Sequence, residues 1–286
     1  MTVLVVGAGP VGLTAANSLA HFGVPVRIID SRAAPTQLSK ALVIWRRSLH
    51  TLDPVIPFES WMPPGRQVVG VNLADSGSIF AAVNMDTLPP QTAPADAATA
   101  TATAAAPCQH MLPPGLFITQ AQIEAGLEQH LQDKFNIKVQ RSTALESFTV
   151  DEEVGGVRCV LGPTAPAHDP AANTTPSANS TPSTTEHEEV LVSHLIGCDG
   201  ARSAVRKGLG IPFPGYSDPD NRFLMMDCTY EYQPGINSNR PRSEAEGKPD
   251  PSRPMASTSA VGLILSIPLV GTPGAIRLVW NAGEHC

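Results

Sequence analysis

The chain has 286 residues, of which 42% are hydrophobic and only 5% aromatic, and its formal net charge is −7. This length can bury one large core or two modest ones, and the acidic balance argues against a nucleic-acid-binding protein, which needs a basic surface. The longest apolar run, VGLILSIPLV at 261–270, is too short to span a bilayer. No basic segment precedes Val3 to form a signal peptide, and the five cysteines form no CxxC pair. We therefore expect a cytoplasmic protein with reduced thiols.

The chain begins with a strand, a helix and a second strand. Val3–Val6 is a continuous apolar run, which is typical of a strand buried on both faces of a parallel sheet. The residues Gly12–Phe22 predict a helix, and Val26–Ile29 predicts a second buried strand. This order predicts the start of a parallel α/β sheet.

A glycine motif connects the first strand to the helix. Gly7, Gly9 and Gly12 form GxGxxG, in which the first glycine permits a tight turn, the second leaves room for a pyrophosphate and the third lets helix and strand approach. The helix N-terminus offers free N–H groups and a partial positive charge to the phosphates. Asp30 ends the second strand, where a carboxylate accepts hydrogen bonds from a ribose and repels a 2′-phosphate. These residues predict a dinucleotide site that disfavours NADP but does not separate NAD from FAD.

Further along the chain, alternating strands and helices give way to a run of strands. The predicted elements are a hairpin of Val68–Leu73 and Ser78–Val83, a helix over Gln120–Phe135, short strands at Lys138–Gln140, Ala144–Val150 and Gly156–Leu161, a buried strand at Val190–Gly197, a helix over Ala201–Leu209, and strands at Arg222–Tyr232, Gly262–Leu269 and Ile276–Trp280. This order predicts the α/β class, with a Rossmann-type domain on a parallel sheet and a partial second domain built on an antiparallel sheet.

Three polar stretches interrupt these elements. Residues 87–115, 162–189 and 233–259 are rich in small and polar residues and proline, and they show no hydrophobic period. Such sequences bury too little apolar area to offset the entropy lost on ordering. We predict that all three are low-complexity insertions between elements that pair with one another.

The segment after Asp30 resembles a known family. SRAAPTQLSKALVIWRRSLHTLD is similar to the S-R-A-x-x-x-x-x-R-T-L-E segment of the class A flavin-dependent aromatic hydroxylases, the group of para-hydroxybenzoate and phenol hydroxylases. The resemblance implies that Arg47 reaches the pyrophosphate and ribityl chain of FAD, a role that suits a planar fork of donors. The alternative is a solvated helix residue beside Arg46. Lys40 and His50 replace the family's arginine and glutamate, so the resemblance assigns neither a role.

Two later segments extend the resemblance. ITQAQIEAGL is similar to the family's Q-x-x-x-E-x-x-L helix start, which implies that Gln120 donates to the ribityl chain or the pyrophosphate. LIGCDGARSAVRKGLGIPFPG is similar to the signature G-x-D-G-x-x-S-x-V-R-x-x-L-G-I-x-F-x-G. It implies that Asp199 accepts from ribityl hydroxyls or a bridging water, that Gly200 allows close backbone approach, and that Arg206 pairs with Asp199 or with a pyridine-nucleotide phosphate. An Asp–Gly turn capping an ordinary helix is the alternative.

Together, the three segments imply that the glycine loop holds FAD and that the protein is a flavoprotein monooxygenase. In such enzymes NAD(P)H reduces the flavin and O2 supplies one oxygen atom to an electron-rich, phenolic small molecule. The implied domains are an FAD-binding domain of residues 1–66 and 116–211 and a partial substrate domain of residues 67–86 and 212–286. Neither a catalytic residue nor a set of metal ligands is identified, and homo-oligomer formation is left open.

Two other functions stay open. The family carries a later G-D-A motif that binds the flavin, and the chain reaches Cys286 without it. A truncated, catalytically inactive fragment that still binds FAD is therefore one alternative. The other is an NAD-dependent Rossmann oxidoreductase, which leaves the similarity at residues 195–215 unexplained.

Overall fold

The computed structural model describes residues 1–36, 41–61, 65–75, 78–85, 112–164, 187–216, 218, 222–229, 253–259, 262–270 and 274–282. The strands in these ranges are β1 (Val3–Val6), β2 (Val26–Ile29), β3 (Val43–Trp45), β4 (Arg66–Gln67), β5 (Gly70–Asp75), β6 (Ser78–Asn84), β7 (Gly115–Phe117), β8 (Thr143–Asp151), β9 (Gly156–Pro163), β10 (Glu188–Val192), β11 (His194–Gly197), β12 (Arg222–Thr229), β13 (Met255–Ser259), β14 (Gly262–Pro268) and β15 (Ala275–Ala282). The α-helices are α1 (Pro10–His21), α2 (Arg46–Leu52), α3 (Gln120–Phe135) and α4 (Ala204–Gly208), and short 3-10 turns lie at Phe58–Trp61 and Gly200–Arg202.

Two compact units divide the chain. The first unit comprises residues 1–40 and 120–215. Its parallel sheet has the strand order β11-β1-β2, in which Val3 is paired with Val26 on one side and with His194 on the other. Because β1 is the central strand, all four of its residues are buried, which explains its continuous apolar sequence. Helix α1 packs against β1, β2 and α3.

An antiparallel sheet of three strands, ordered β10-β9-β8, completes the first unit. Leu4 and Val6 of β1 belong to one buried apolar cluster with residues of these strands, of β2 and of α4, namely Ile29, Leu145, Cys159, Leu161, Val192 and Val205. Side chains alternate along a strand, so Leu4 and Val6 share the face of the parallel sheet that meets this cluster. The packing fixes the carboxyl end of β1, where the glycine loop begins.

The second unit comprises residues 41–119 and 216–286 and carries a mixed sheet in the order β12-β15-β14-β13-β5-β6. Neighbouring strands are antiparallel except that β13 runs parallel to β5. Arg277 of β15 is buried and forms two hydrogen bonds with the carboxylate of Asp227 on β12, at 2.6 and 2.7 Å. A smaller antiparallel sheet has the order β3-β7-β4.

The predicted α/β class is confirmed, and the first strand and second strand have the predicted bounds. The strand predicted over Val190–Gly197 is wrong, because the chain forms two strands that join different sheets. The break lies at Ser193, whose N–H donates to the carbonyl of Thr2 at 3.0 Å and so leaves the strand ladder. The helix predicted over Ala201–Leu209 is a 3-10 turn followed by the short helix α4.

Two further local predictions differ from the structure. Lys138–Gln140 is not a strand, since Gln140 makes only an isolated parallel bridge with Ile29. The predicted insertion 233–259 contains β13, whose sequence MASTS lacks an apolar period but whose backbone pairs with β5 on one side and β14 on the other. Pairing with two neighbours supplies the stabilisation that the side chains of β13 do not.

The larger part of the predicted insertions, 87–111, 165–186 and 233–252, lies outside the described residues. The second unit includes residues 41–66, whereas the sequence predicts that these residues belong to the FAD-binding domain. A functional domain is defined by what it binds, so the predicted boundaries stay a prediction. Of the helices within the described ranges, none has the length and apolar content of a membrane span.

Candidate functional site

The loop between β1 and α1 is tied to both neighbouring strands of the parallel sheet. The N–H of Gly7 donates to the carbonyl of Ile29 at 2.8 Å, and the N–H of Cys198 donates to the carbonyl of Val6 at 2.7 Å. Helix α1 begins with Gly9 as its N-cap and Pro10 in the first turn, and no described side chain caps the helix N-terminus with a hydrogen bond. The N-terminus of α1 therefore presents N–H groups and the positive end of the helix dipole at the carboxyl edge of the sheet.

The three glycines of the motif have different environments. Gly7 has φ +100°, and a Cβ there would lie 2.4 Å from the carbonyl oxygen of Cys198. At Gly12 a Cβ would lie 1.8 Å from the carbonyl oxygen of Gly7. At Gly9 a Cβ would meet nothing within 4 Å. Gly7 and Gly12 are thus required by the packing of the protein itself, whereas Gly9 borders open space in front of the helix N-terminus.

Asp30 is buried at the end of β2 and accepts four hydrogen bonds. Its Oδ2 accepts from the N–H of Ala8 at 2.7 Å and from Nη2 of Arg32 at 3.1 Å, while its Oδ1 accepts from the N–H and Nε of Arg32 at 2.8 and 3.1 Å. Burial acts to raise the pKa of Asp30, but the hydrogen bonds from Arg32 and Ala8 outweigh it and hold the pKa below its ordinary value. Asp30 is therefore ionised and holds the glycine loop through Ala8.

Gln120 opens α3 and is joined to Asp30 through two intervening side chains. Nε2 of Gln120 donates to Oε1 of Glu124 at 2.9 Å, and Oε2 of Glu124 lies 4.0 Å from Nη1 of Arg32. The sequence pattern includes Glu124 only as the glutamate of the family's helix start, and it does not identify Arg32. An arginine two residues after the strand-ending acid was the available signal for Arg32, since its side chain reaches back over Asp30.

Asp199 lies beside the glycine loop, at the carboxyl end of β11. A Cβ on Gly7 would come within 2.9 Å of the Asp199 Cα, so the two residues are neighbours. Oδ2 of Asp199 accepts from the N–H of Ala204 at 2.6 Å, whereas Oδ1 is buried with no hydrogen-bond partner among the described residues. Gly200 has φ +76°, and a Cβ there would meet nothing within 4 Å. Asp199 thus has one oxygen that holds the start of α4 and one that is available to a ligand.

Arg206 is held by groups other than Asp199. Its Nη1 donates to the carbonyl of Ala201 at 2.6 Å, and its guanidinium carbon lies 4.7 Å from the ring centroid of Phe213. The Asp199 carboxylate instead accepts backbone N–H groups at the start of α4. Of the two predicted roles of Arg206, the contact with a nucleotide phosphate stays a prediction.

Arg47 lies in α2 of the second unit, and its side chain is exposed. Its neighbour Arg46 has a structural contact, in which Nε donates to the carbonyl of Leu112 at 2.8 Å. The two adjacent arginines are therefore not equivalent, and Arg47 is the one whose guanidinium faces solvent. Its predicted contact with FAD stays a prediction.

The described part of the first unit shows neither a reactive thiol nor a metal site. Burial, with the charge of Asp199, raises the pKa of Cys198, and burial raises the pKa of Cys159, so both thiols are protonated at neutral pH. Among the described residues, no three His, Cys, Asp or Glu side chains form a group that could hold a metal ion.

Comparisons with known proteins agree with this geometry. A family model described as an FAD binding domain matches residues 1–236. Pentachlorophenol 4-monooxygenase of Sphingobium chlorophenolicum is 28% identical over 230 residues, which are 79% of this chain and 34% of that protein. Dialkyldecalin synthase of Streptomyces rugosporus is 28% identical over 232 residues, 80% of this chain and 38% of the other. The chain thus spans about a third of the length of the curated relatives that it matches.

A solved structure shares the fold. The p-nitrophenol 4-monooxygenase PnpA from Pseudomonas putida DLL-E4 superposes with a TM-score of 0.69 at 17% identity, covering 100% of this chain and 58% of that one. The resemblance to flavin-dependent aromatic hydroxylases is confirmed by these matches. Because the family model covers residues 1–236 of 286, the chain belongs to the FAD-binding domain family, whose cofactor is FAD.

Proposed function

We propose that FAD binds to the first unit with its pyrophosphate at the N-terminus of α1. The observation that carries this proposal is the open space in front of Gly9, where a Cβ would meet nothing within 4 Å. An uncapped helix N-terminus attracts phosphate through its N–H groups and dipole. The buried Oδ1 of Asp199, which has no partner among the described residues, adds an acceptor for a cofactor hydroxyl. The residues present therefore fit FAD.

Each of the remaining predicted site residues has a proposed part in holding the cofactor. Asp30 keeps the glycine loop in its binding shape through Ala8 and places negative charge where a ribose binds. Gly200 leaves room for the cofactor beside the backbone, and Gln120 donates an amide hydrogen bond to it. Arg206 contributes positive charge toward the phosphate of NAD(P)H, and for Arg47 a contact with the FAD pyrophosphate stays what the family resemblance implies.

We propose, further, that the whole protein hydroxylates a small phenolic molecule, with NAD(P)H and O2 as co-substrates. Bound FAD supplies the redox and oxygen chemistry, and the protein binds it, orients it and excludes water. The support is that relatives covering most of this chain are monooxygenases by name, including one that acts on pentachlorophenol. The relative named dialkyldecalin synthase is as similar to this chain, at 28% identity, and its name does not describe a hydroxylation. FAD binding and hydroxylation therefore need separate tests. A cytoplasmic location is part of this proposal.

The test uses the purified 286-residue chain. FAD binding is measured by quenching of flavin fluorescence and by the visible spectrum of the protein after gel filtration. Oxygen consumption is then recorded with NADH or NADPH and a panel of phenols, and the products are separated by chromatography. Bound flavin together with a hydroxylated phenol is the expected result.

The other outcomes contradict one proposal or both. Bound FAD without oxidation of NAD(P)H would favour the inactive FAD-binding fragment and overturn the proposed hydroxylation for this chain. Binding of NADH in place of FAD would favour an NAD-dependent oxidoreductase and overturn both proposals. A colourless protein that also fails to quench added FAD would overturn the FAD site itself.

A further inference from the structure

A chain of polar side chains leads from helix α3 to the glycine loop. Gln120 donates to Glu124, Glu124 faces Arg32 across 4.0 Å, and Arg32 forms two side-chain hydrogen bonds with Asp30. Asp30 in turn accepts from the N–H of Ala8 inside the loop. The shape of the loop is therefore connected to a carboxylate on α3 that lies outside the glycine motif.

The burial of Glu124 is not explained by helix packing. Its side chain is 0% exposed, and its neighbours on the same buried side of α3 are Ile123, Leu127 and Leu131. One oxygen, Oε2, has no hydrogen-bond partner among the described residues. An apolar side chain would pack there without the cost of burying a carboxylate, which is several kcal/mol when the charge is poorly compensated. Within the described ranges, Arg32 is the one cationic side chain that forms an ion pair with Glu124.

Arg32 needs a second anchor to stay over Asp30. Its side chain is 38% exposed, and an exposed ion pair contributes little because a long side chain loses rotamer freedom on pairing. Two carboxylates on different sides of the guanidinium restrict it more than one does. The bond to Asp30 also raises the pKa of Arg32, so the guanidinium stays charged toward both.

We infer that Glu124 is a positioning residue for the FAD site. Glu124 keeps Arg32 against Asp30, so that both Asp30 oxygens keep their hydrogen bonds. Asp30 in turn fixes Ala8 and the loop that receives the pyrophosphate. This inference rests on the proposed binding of FAD in that loop. Glu124 does not touch the cofactor in this role.

The first test is Glu124→Gln, which keeps the shape of the side chain and removes its charge. We expect the affinity for FAD, measured by fluorescence quenching, to fall about tenfold. The thermal midpoint of the FAD-free protein should stay the same or rise, because a buried charge has been removed. A purely structural role predicts the reverse, a lower midpoint with affinity lost only through unfolding.

Glu128→Gln is the matched control. Glu128 lies one turn further along α3 and accepts from Nη2 of Arg141 at 2.5 Å, so it is also an ion-paired carboxylate but does not face Arg32. We expect its FAD affinity to stay within about twofold of the wild type. An equal loss of affinity in both variants would overturn the inference, because it would show a general effect of charge on α3.

A double-mutant cycle with Arg32→Ala tests whether Glu124 acts on the loop through Arg32. If Glu124 acts through Arg32, Glu124→Gln should change FAD affinity less than about twofold once Arg32 is absent. A full tenfold loss in that background would overturn the inference. If the wild-type chain binds FAD and Glu124→Gln binds it equally well, the inference fails while the proposed function stands. If the wild type binds no FAD, both fail.

Discussion

The three glycines of GxGxxG give a sharp prediction, because the fold itself requires two of them and cofactor binding requires the third. Gly9→Val should abolish tight FAD binding and leave the FAD-free fold almost unchanged. Gly7→Ala and Gly12→Ala should destabilise the fold itself. The distinction follows from the space around each Cβ position, which is open at Gly9 and blocked by backbone at the other two.

The magnitudes follow from these contacts. At Gly9, φ is −76° and ψ −178°, a conformation open to any residue, so valine costs only the weaker capping of α1, about 1 kcal/mol or less. At Gly7, alanine combines φ +100° with a Cβ 2.4 Å from a carbonyl oxygen. Strained backbone of about 1–2 kcal/mol and overpacking of about 1–3 kcal/mol give a loss of about 2–5 kcal/mol. Filling the space at Gly9 removes charged hydrogen bonds to the pyrophosphate, which weakens FAD about a hundredfold or more.

The assay pairs urea unfolding of the FAD-free protein, followed by circular dichroism, with FAD titration monitored by fluorescence. Gly23→Val is a matched control for open space, because a Cβ at Gly23 also meets nothing within 4 Å, although its φ of +73° adds strain. It should lower stability without changing FAD affinity. If Gly9→Val retains wild-type FAD affinity, the pyrophosphate does not bind at the N-terminus of α1, and the proposed site is wrong.

Three other predictions concern stability. Ser142 has φ +54°, so Ser142→Gly should raise the free energy of unfolding by about 0.5–1 kcal/mol in a thermal melt, and a lower midpoint would contradict this. Asp227→Asn should cost about 1–2 kcal/mol in urea unfolding, because it weakens the charged partner of the buried Arg277, and an unchanged midpoint would show that the pair contributes nothing. The pKa of Asp30 is lower in the folded than in the unfolded protein, so ionised Asp30 stabilises the fold. This stabilisation is fully present above the unfolded pKa near pH 4 and is lost as the pH falls through the lower folded pKa. Asp30→Asn should therefore reduce the loss of stability at acidic pH in unfolding measurements recorded against pH.

Local patterns were sufficient for the glycine loop and its two strands. Val3–Val6 is an apolar run that ends at Gly7, and Val26–Ile29 is apolar except for Arg27 and lies between Pro25 and Asp30. The two strands pair in the predicted parallel sheet. Nothing local marks the break at Ser193, because it arises when the Ser193 N–H bonds to the carbonyl of Thr2, which is 191 residues away in the sequence. The strand β13 is hidden for the same reason, since its sequence is polar and its order comes from pairing on both sides.

The residues of the candidate site likewise differ in whether the sequence alone predicts them. The glycines and Asp30 form a compact motif with fixed spacing, so the chain itself points to them. Arg32 lies in the loop after β2 and Glu124 lies in α3, and their pairing is visible only once the fold brings these segments together. In the sequence Glu124 is only one position of a helix-start pattern, and it is the complete burial of its side chain that indicates another role.

The internal hydrogen bonds of Asp30 also change what that residue can do for the cofactor. A carboxylate oxygen has two lone pairs, and the four donors from Ala8 and Arg32 occupy all four positions of Asp30. A ribose hydroxyl that bonds to Asp30 must therefore share an oxygen with one of these donors or displace it. Sharing an oxygen agrees with the inferred role of Glu124, which keeps the Arg32 guanidinium on Asp30. We therefore expect the ribose hydroxyl to share an Asp30 oxygen with an Arg32 side-chain nitrogen, and the hydrogen bond from the Ala8 N–H to be retained when FAD binds.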